Sequence, residues 1–101
     1  MIQKRTINGG QQVEVVFMLP AELAIGRLAV VGEFNNWDPM ATPMRRRKDV
    51  VTAAAILETG RRYEFRYLRE DGEWINDEAA DALEPNSFGT TNCVVALEGP
   101  T

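Results

Sequence analysis

Asp49-Val50-Val51-Thr52-Ala53-Ala54-Ala55-Ile56-Leu57-Glu58-Thr59-Gly60 is the stretch on which the fold class turns. Asp49 is a competent helix N-cap, three consecutive alanines favour a helix, and Gly60 is a competent terminator. Against this stand Val50, Val51, Thr52 and Ile56, whose β-branched side chains are stiff in a helix and pack well on a pleated surface. The next segment tips the balance to a strand. Gly60 then serves as a turn into Arg61 to Leu68, where Tyr63, Phe65 and Tyr67 share one face and Arg62, Glu64, Arg66 and Leu68 the other. With residues 49–60 read as a strand, no long helix remains in the chain.

Outward from this pair, Val13, Val15, Phe17 and Leu19 alternate with Gln12, Glu14, Val16 and Met18, the period of a half-buried strand. The turn Asn8-Gly9-Gly10 pairs it with a short strand from Gln3 to Ile7. Pro20 to Gly26 reads as a connection. Arg27 to Gly32 is almost continuously apolar, as expected of a central strand covered on both faces. Between Glu33 and Asp49 the pattern breaks, and Asn35-Asn36, Asp38-Pro39 and Thr42-Pro43 supply three turn signals in a long, functional-looking loop. Asp71-Gly72 makes a hairpin turn and Trp74-Ile75 returns. Asn76 to Pro85 is acidic and alanine-rich, either one helical turn capped by Asp77 or an acidic surface loop, and outside the sheet in both cases. Asn86-Ser87-Phe88-Gly89 is a turn before a last strand, Asn92 to Leu97. Seven or eight short antiparallel strands separated by turn signals describe an all-β chain, a β-sandwich.

With 101 residues the chain is expected to form a single domain, 1–101. A net charge of -4 repels a phosphate backbone, so nucleic acid is not an expected partner. Arg45-Arg46-Arg47-Lys48 reads as a solvated turn. One cysteine, Cys93, excludes an internal disulfide and is expected to be a small buried residue; the absence of histidine removes the usual zinc ligand and the usual general base. Asp71, Glu73, Asp77, Glu78, Asp81 and Glu84 lack the spacing of a calcium loop, so neither a metal nor another cofactor is expected. These carboxylates are expected in exposed loops, with no deep pocket to keep one protonated beside an ionised partner, which argues against glycoside hydrolysis and against an enzyme. Met1-Ile2-Gln3-Lys4-Arg5 leads into no apolar signal region and no run of about 18 apolar residues occurs, so a cytoplasmic protein without membrane contact is expected.

Both tryptophans stand beside turns, Trp37 in Gly32-Glu33-Phe34-Asn35-Asn36-Trp37 and Trp74 in Asp71-Gly72-Glu73-Trp74-Ile75-Asn76-Asp77. Each is either an exposed platform or a buried anchor under its loop. Phe34, Tyr63, Phe65 and Tyr67 are assigned to the core, and Asn35, Asn36 and Asn76 are accounted for by Asx turns. The order G-x-F-N-N-W, Y-x-F, D-G-x-W-x-x-D and F-G-T-x-N, from Val13 to Leu97, resembles carbohydrate-binding module family 48, the glycogen-binding, isoamylase N-terminal-like early set modules.

That resemblance implies an immunoglobulin-like sandwich that binds α-1,4-linked glucan without catalysis. By position it makes Trp37 and Trp74 the sugar-stacking rings, Phe88 the apolar residue entering the glucan curve, and Thr90 and Asn92 hydroxyl partners. The physical logic agrees, since a glucose ring has apolar C–H faces and a polar rim. Relatives associated with animal kinases carry lysine after the tyrosine of Y-x-F, where this chain has Glu64; either Glu64 or Arg66, on the same strand face, takes over that polar contact, or Glu64 pairs locally with Arg62 or Arg66. The Leu68–Gly72 hairpin is longer than in those relatives, which implies a displaced Trp74. The competing expectation is a sandwich serving as a protein-interaction or regulatory module for a glycogen-metabolising enzyme or kinase, with little sugar affinity. At its present length the chain would work alone or recruit such a partner noncovalently.

Overall fold

A computed structural model describes residues 2–24, 26–77 and 79–97. Among the described residues nine strands run in order: β1 (Ile2–Ile7), β2 (Gln12–Pro20), β3 (Leu28–Gly32), β4 (Arg45–Arg47), β5 (Val50–Glu58), β6 (Arg62–Arg69), β7 (Trp74–Ile75), β8 (Ala82–Pro85) and β9 (Thr91–Ala96). They form two antiparallel sheets. One has the order β1-β2-β5-β4, the other β3-β6-β9-β8 with β7 also paired to β6. Residues 50–58 are a strand, in register with β2 from Gln12↔Glu58 to Pro20↔Val50. Each of its inward positions therefore faces an inward position of β2, and the inward alanines Ala53 and Ala55 leave room for Phe17 and Val15 opposite.

The sheets close on the alternating residues read from sequence. Val13, Val15, Phe17, Leu19, Val51 and Leu57 of the first meet Val30, Tyr63, Phe65, Tyr67, Cys93 and Val95 of the second. Phe17 is the centre of this contact. Its ring lies edge-on to Phe65 at 5.0 Å and stacks on Phe34 at 5.7 Å. Cys93 is buried, and the burial pushes its thiol pKa up.

Three elements depart from the sequence reading. β3, although buried throughout, is an edge strand and not a central one. Its open edge is covered by the loop that follows: Val30 N–H donates to Thr42 O at 3.0 Å and Met44 N–H to Leu28 O at 2.8 Å. That loop then crosses to the other sheet and contains β4, which pairs with Val50 to Thr52 of β5. The basic run is a short exposed edge strand. Residues 82–85, expected outside the sheet, are strand β8 against β9, and the count of strands rises to nine.

Asp77 corrects the expectation that the acidic residues are exposed, being only 3% accessible. Its Oδ2 accepts from the Tyr67 hydroxyl at 2.9 Å and its Oδ1 from Ala79 N–H at 2.8 Å. It thus caps a turn, as read from sequence, while tying that turn to the core. Burial raises the Tyr67 hydroxyl far above its usual pKa, and the Asp77 charge adds to the shift. Glu78 lies outside the described residues. No helix among the described residues is long and apolar enough to cross a membrane.

Candidate functional site

β3 ends at Gly32, where the backbone runs so close to β6 that an added Cβ would lie 2.6 Å from Glu64 O and 2.8 Å from Phe65 Cβ. Only glycine fits there. Asn35 fastens the chain beyond it: its Oδ1 accepts from Gly32 N–H at 3.0 Å, and its Nδ2 donates to Val30 O and Thr42 Oγ1, both at 3.0 Å. Asn36 and Trp37 then both take φ 58°, left-handed backbone that a bulky residue adopts only when its surroundings impose it. Trp37 N–H donates back to Gly32 O at 2.9 Å. The result presents an indole that is 37% exposed.

Trp74 comes from β7, where it pairs with Leu68 on the outward side of the second sheet. It is 45% exposed. The Arg66 guanidinium lies 4.8 Å from the centre of its ring, a cation–π contact that occupies one face. Arg66 also donates from Nε to Asn76 Oδ1 at 3.2 Å and from Nη1 to Thr90 Oγ1 at 3.3 Å.

The β8–β9 hairpin supplies the third wall. Asn86 organises its turn, its Oδ1 accepting from Phe88 N–H at 2.9 Å and Thr90 N–H at 3.2 Å, and its Nδ2 donating to Thr90 Oγ1 at 2.8 Å and Asn92 Oδ1 at 3.0 Å. Phe88, at the tip, is 87% exposed, on a backbone that is nonetheless fastened. An exposed aromatic on a braced turn is preorganised for contact.

Trp37, Trp74 and Phe88 thus converge with Arg66, Thr90 and Asn92 around an open groove of about 480 Å³, and Asn86 lines it too. The longer hairpin does not carry Trp74 away from the other rings. Glu64 stands behind the groove. Its carboxylate accepts from Asn92 Nδ2 at 3.0 Å, while Arg62 pairs with Glu84 at 2.9 Å and Arg66 with the group described above. Glu64 therefore orients Asn92, and neither local ion pair expected for it is formed. Asn86 escaped the sequence reading because a turn asparagine looks alike whether it braces a site or only a loop; its place two residues before an exposed phenylalanine is the signal. The groove has aromatic walls and a floor of amides, a hydroxyl and a guanidinium, suited to a ring with apolar faces and hydroxyl edges. No group of three or more metal-binding side chains occurs among the described residues.

Fold and groove together define a β-sandwich with an open, aromatic-walled groove on one sheet. No family model matches the chain. Over 48 residues, 46% of its length, it is 42% identical to the 1,4-alpha-glucan branching enzyme GlgB 2 of Xanthomonas campestris pv. campestris, strain 8004, and to the same enzyme of strain ATCC 33913. The chain spans 7% of the length of these curated relatives. The likeness to a glucan branching enzyme is thus weak and partial.

Proposed function

We propose that the chain is a non-catalytic, single-domain binder of α-1,4-linked glucan, such as glycogen, starch or maltooligosaccharide, of the kind found in carbohydrate-binding module family 48. The convergence of Trp37, Trp74 and Phe88 on one groove with Thr90 and Asn92 between them carries this reading, and the partial likeness to a branching enzyme supports it. Indole and phenyl faces take the C–H faces of successive glucose rings, and the Asn92 amide and Thr90 hydroxyl take ring hydroxyls. None of the lining residues is a carboxylate, whereas glycoside hydrolysis calls for two. A cytoplasmic location belongs to the same reading.

Two stacked rings and a few hydrated polar contacts set the affinity for a linear maltooligosaccharide at about -4 to -7 kcal/mol, roughly millimolar to ten-micromolar Kd. Branched polymer binds more tightly through rebinding of many chain ends. Calorimetry with maltoheptaose, beside a glycogen pull-down of the purified chain, tests this. No heat at millimolar ligand together with no retention on glycogen overturns it.

The second reading, a protein-interaction module for a glycogen-metabolising enzyme or kinase, draws on the opposite face. Among the described residues the side chains of Arg45, Arg46, Arg47 and Lys48 make no ion pair or hydrogen bond, whereas those of Lys4, Arg5, Arg27, Arg62 and Arg69 all pair with carboxylates. Retention on glycogen abolished by Trp37→Ala and Trp74→Ala, but untouched by Arg45→Ala with Arg47→Ala, favours the glucan reading over this one.

A further inference from the structure

A second groove lies on the same outward face, beside the first. It encloses about 400 Å³ among Ala29 of β3, Leu68 of β6, Gly72 of the β6–β7 turn, and Pro39, Met40 and Pro43 of the crossing loop. Ala29 and Leu68 are cross-strand partners and give it an apolar floor. Its rim is charged, with Arg27 Nε 3.2 Å from Glu70 Oε1 and Arg69 Nη2 2.9 Å from Asp71 Oδ2. Met40 stands over it, 72% exposed.

The two grooves adjoin. Leu68 is the direct cross-strand neighbour of Trp74, and Leu68 and Arg66 are successive outward positions on β6, about 7 Å apart. The loop that places Trp37 at the first groove places Pro39 and Met40 at the second. A chain leaving the Trp74 ring along β6 therefore runs onto Leu68 and Met40.

We propose that the second groove receives the continuation of the same glucan chain, so that the face recognises a longer segment of polysaccharide than the tryptophan groove alone spans. This rests on the glucan reading of that first groove. Each further glucose residue repeats an apolar ring face and a hydroxyl rim. The prolyl rings, the Met40 thioether and Leu68 match the first, and the charged pairs of the rim match the second. An apolar peptide is the other occupant such a groove accepts, and chain-length dependence separates the two.

The test is a nuclear magnetic resonance titration of the isotope-labelled chain with maltotriose and with maltoheptaose, repeated on Met40→Ala. The indole N–H signals of Trp37 and Trp74 are expected to move with both sugars, and the amides of Met40 and Gly72 with maltoheptaose alone. Met40→Ala is expected to lose roughly three- to tenfold in maltoheptaose affinity, the effect of one truncated apolar contact, while maltotriose affinity stays within about twofold. Movement of the indoles without movement of Met40 and Gly72, or equal losses for both sugars, overturns the extended site and leaves the first groove standing. Indoles unmoved by either sugar overturn the glucan reading and the extended site together.

Discussion

Trp37 sits at φ 58°, where an L side chain with a Cβ is disfavoured by about 1–2 kcal/mol. The strain is held by the Trp37 N–H bond to Gly32 O and by the brace that Asn35 provides. Glycine at this position keeps the backbone and drops the strain, whereas alanine keeps both. Trp37→Gly should therefore be more stable than Trp37→Ala by about 1 kcal/mol, while both lose about 1–3 kcal/mol of maltoheptaose affinity; urea unfolding and calorimetry on the pair check this. Glu64 and Arg66 separate in the same manner. Glu64→Gln keeps an acceptor for Asn92 Nδ2 and should bind almost as the parent does, but Arg66→Gln removes both the cation against Trp74 and the donor to Thr90 and should lose about 1–2 kcal/mol of affinity. Equal effects would return Glu64 to the sugar. Tyr67 governs alkaline stability. Because its folded pKa is raised, its contribution is intact below the ordinary tyrosine value of about 10 and declines as pH rises beyond it, where the unfolded chain ionises and the folded one does not. Urea midpoints at about pH 9 and 11 should fall less in Tyr67→Phe than in the parent.

The end of β3 illustrates how an element is fixed by a single absent atom. Gly32→Ala drives a Cβ into Glu64 O and Phe65 Cβ and should cost about 1–3 kcal/mol by forcing β3 and β6 apart. Since the Trp37 turn is built on Gly32, affinity should fall with it, and a folded variant with unchanged binding would show the two to be independent. The long strands were legible because one of their faces is core: alternation marks β2 and β6, and the β-branched residues of β5 outweighed its alanines. β4 and β8 were not, for a physical reason. Arg45-Arg46-Arg47 has no apolar period at all, and β8 is four residues ending in Pro85; both are edge strands held by the backbone ladders of β5 and β9. The apolar run of β3 signalled burial on both faces but not that the covering of its outer edge comes from residues 42–44. The aromatic and polar groove residues were legible through their motif order, whereas the bracing roles of Asn86 and Glu64 exist only once β8, β9 and β6 are side by side.

At the scale of the molecule, the core is lined with phenyl and phenol rings, and the only two indoles of the chain, Trp37 and Trp74, stand in the groove. Indole emission is consequently a reporter of the groove and not of the interior. Both rings are already in contact with water when the chain is folded, so their emission maximum should move little on thermal unfolding. Saturating maltoheptaose should shift it to the blue as sugar displaces water from the ring faces. Melting is better followed through the phenols of Tyr63 and Tyr67, which pass from the core to solvent. A large red shift of indole emission on unfolding, with none of the opposite sign on adding sugar, would place the tryptophans in the interior and empty the groove of its walls.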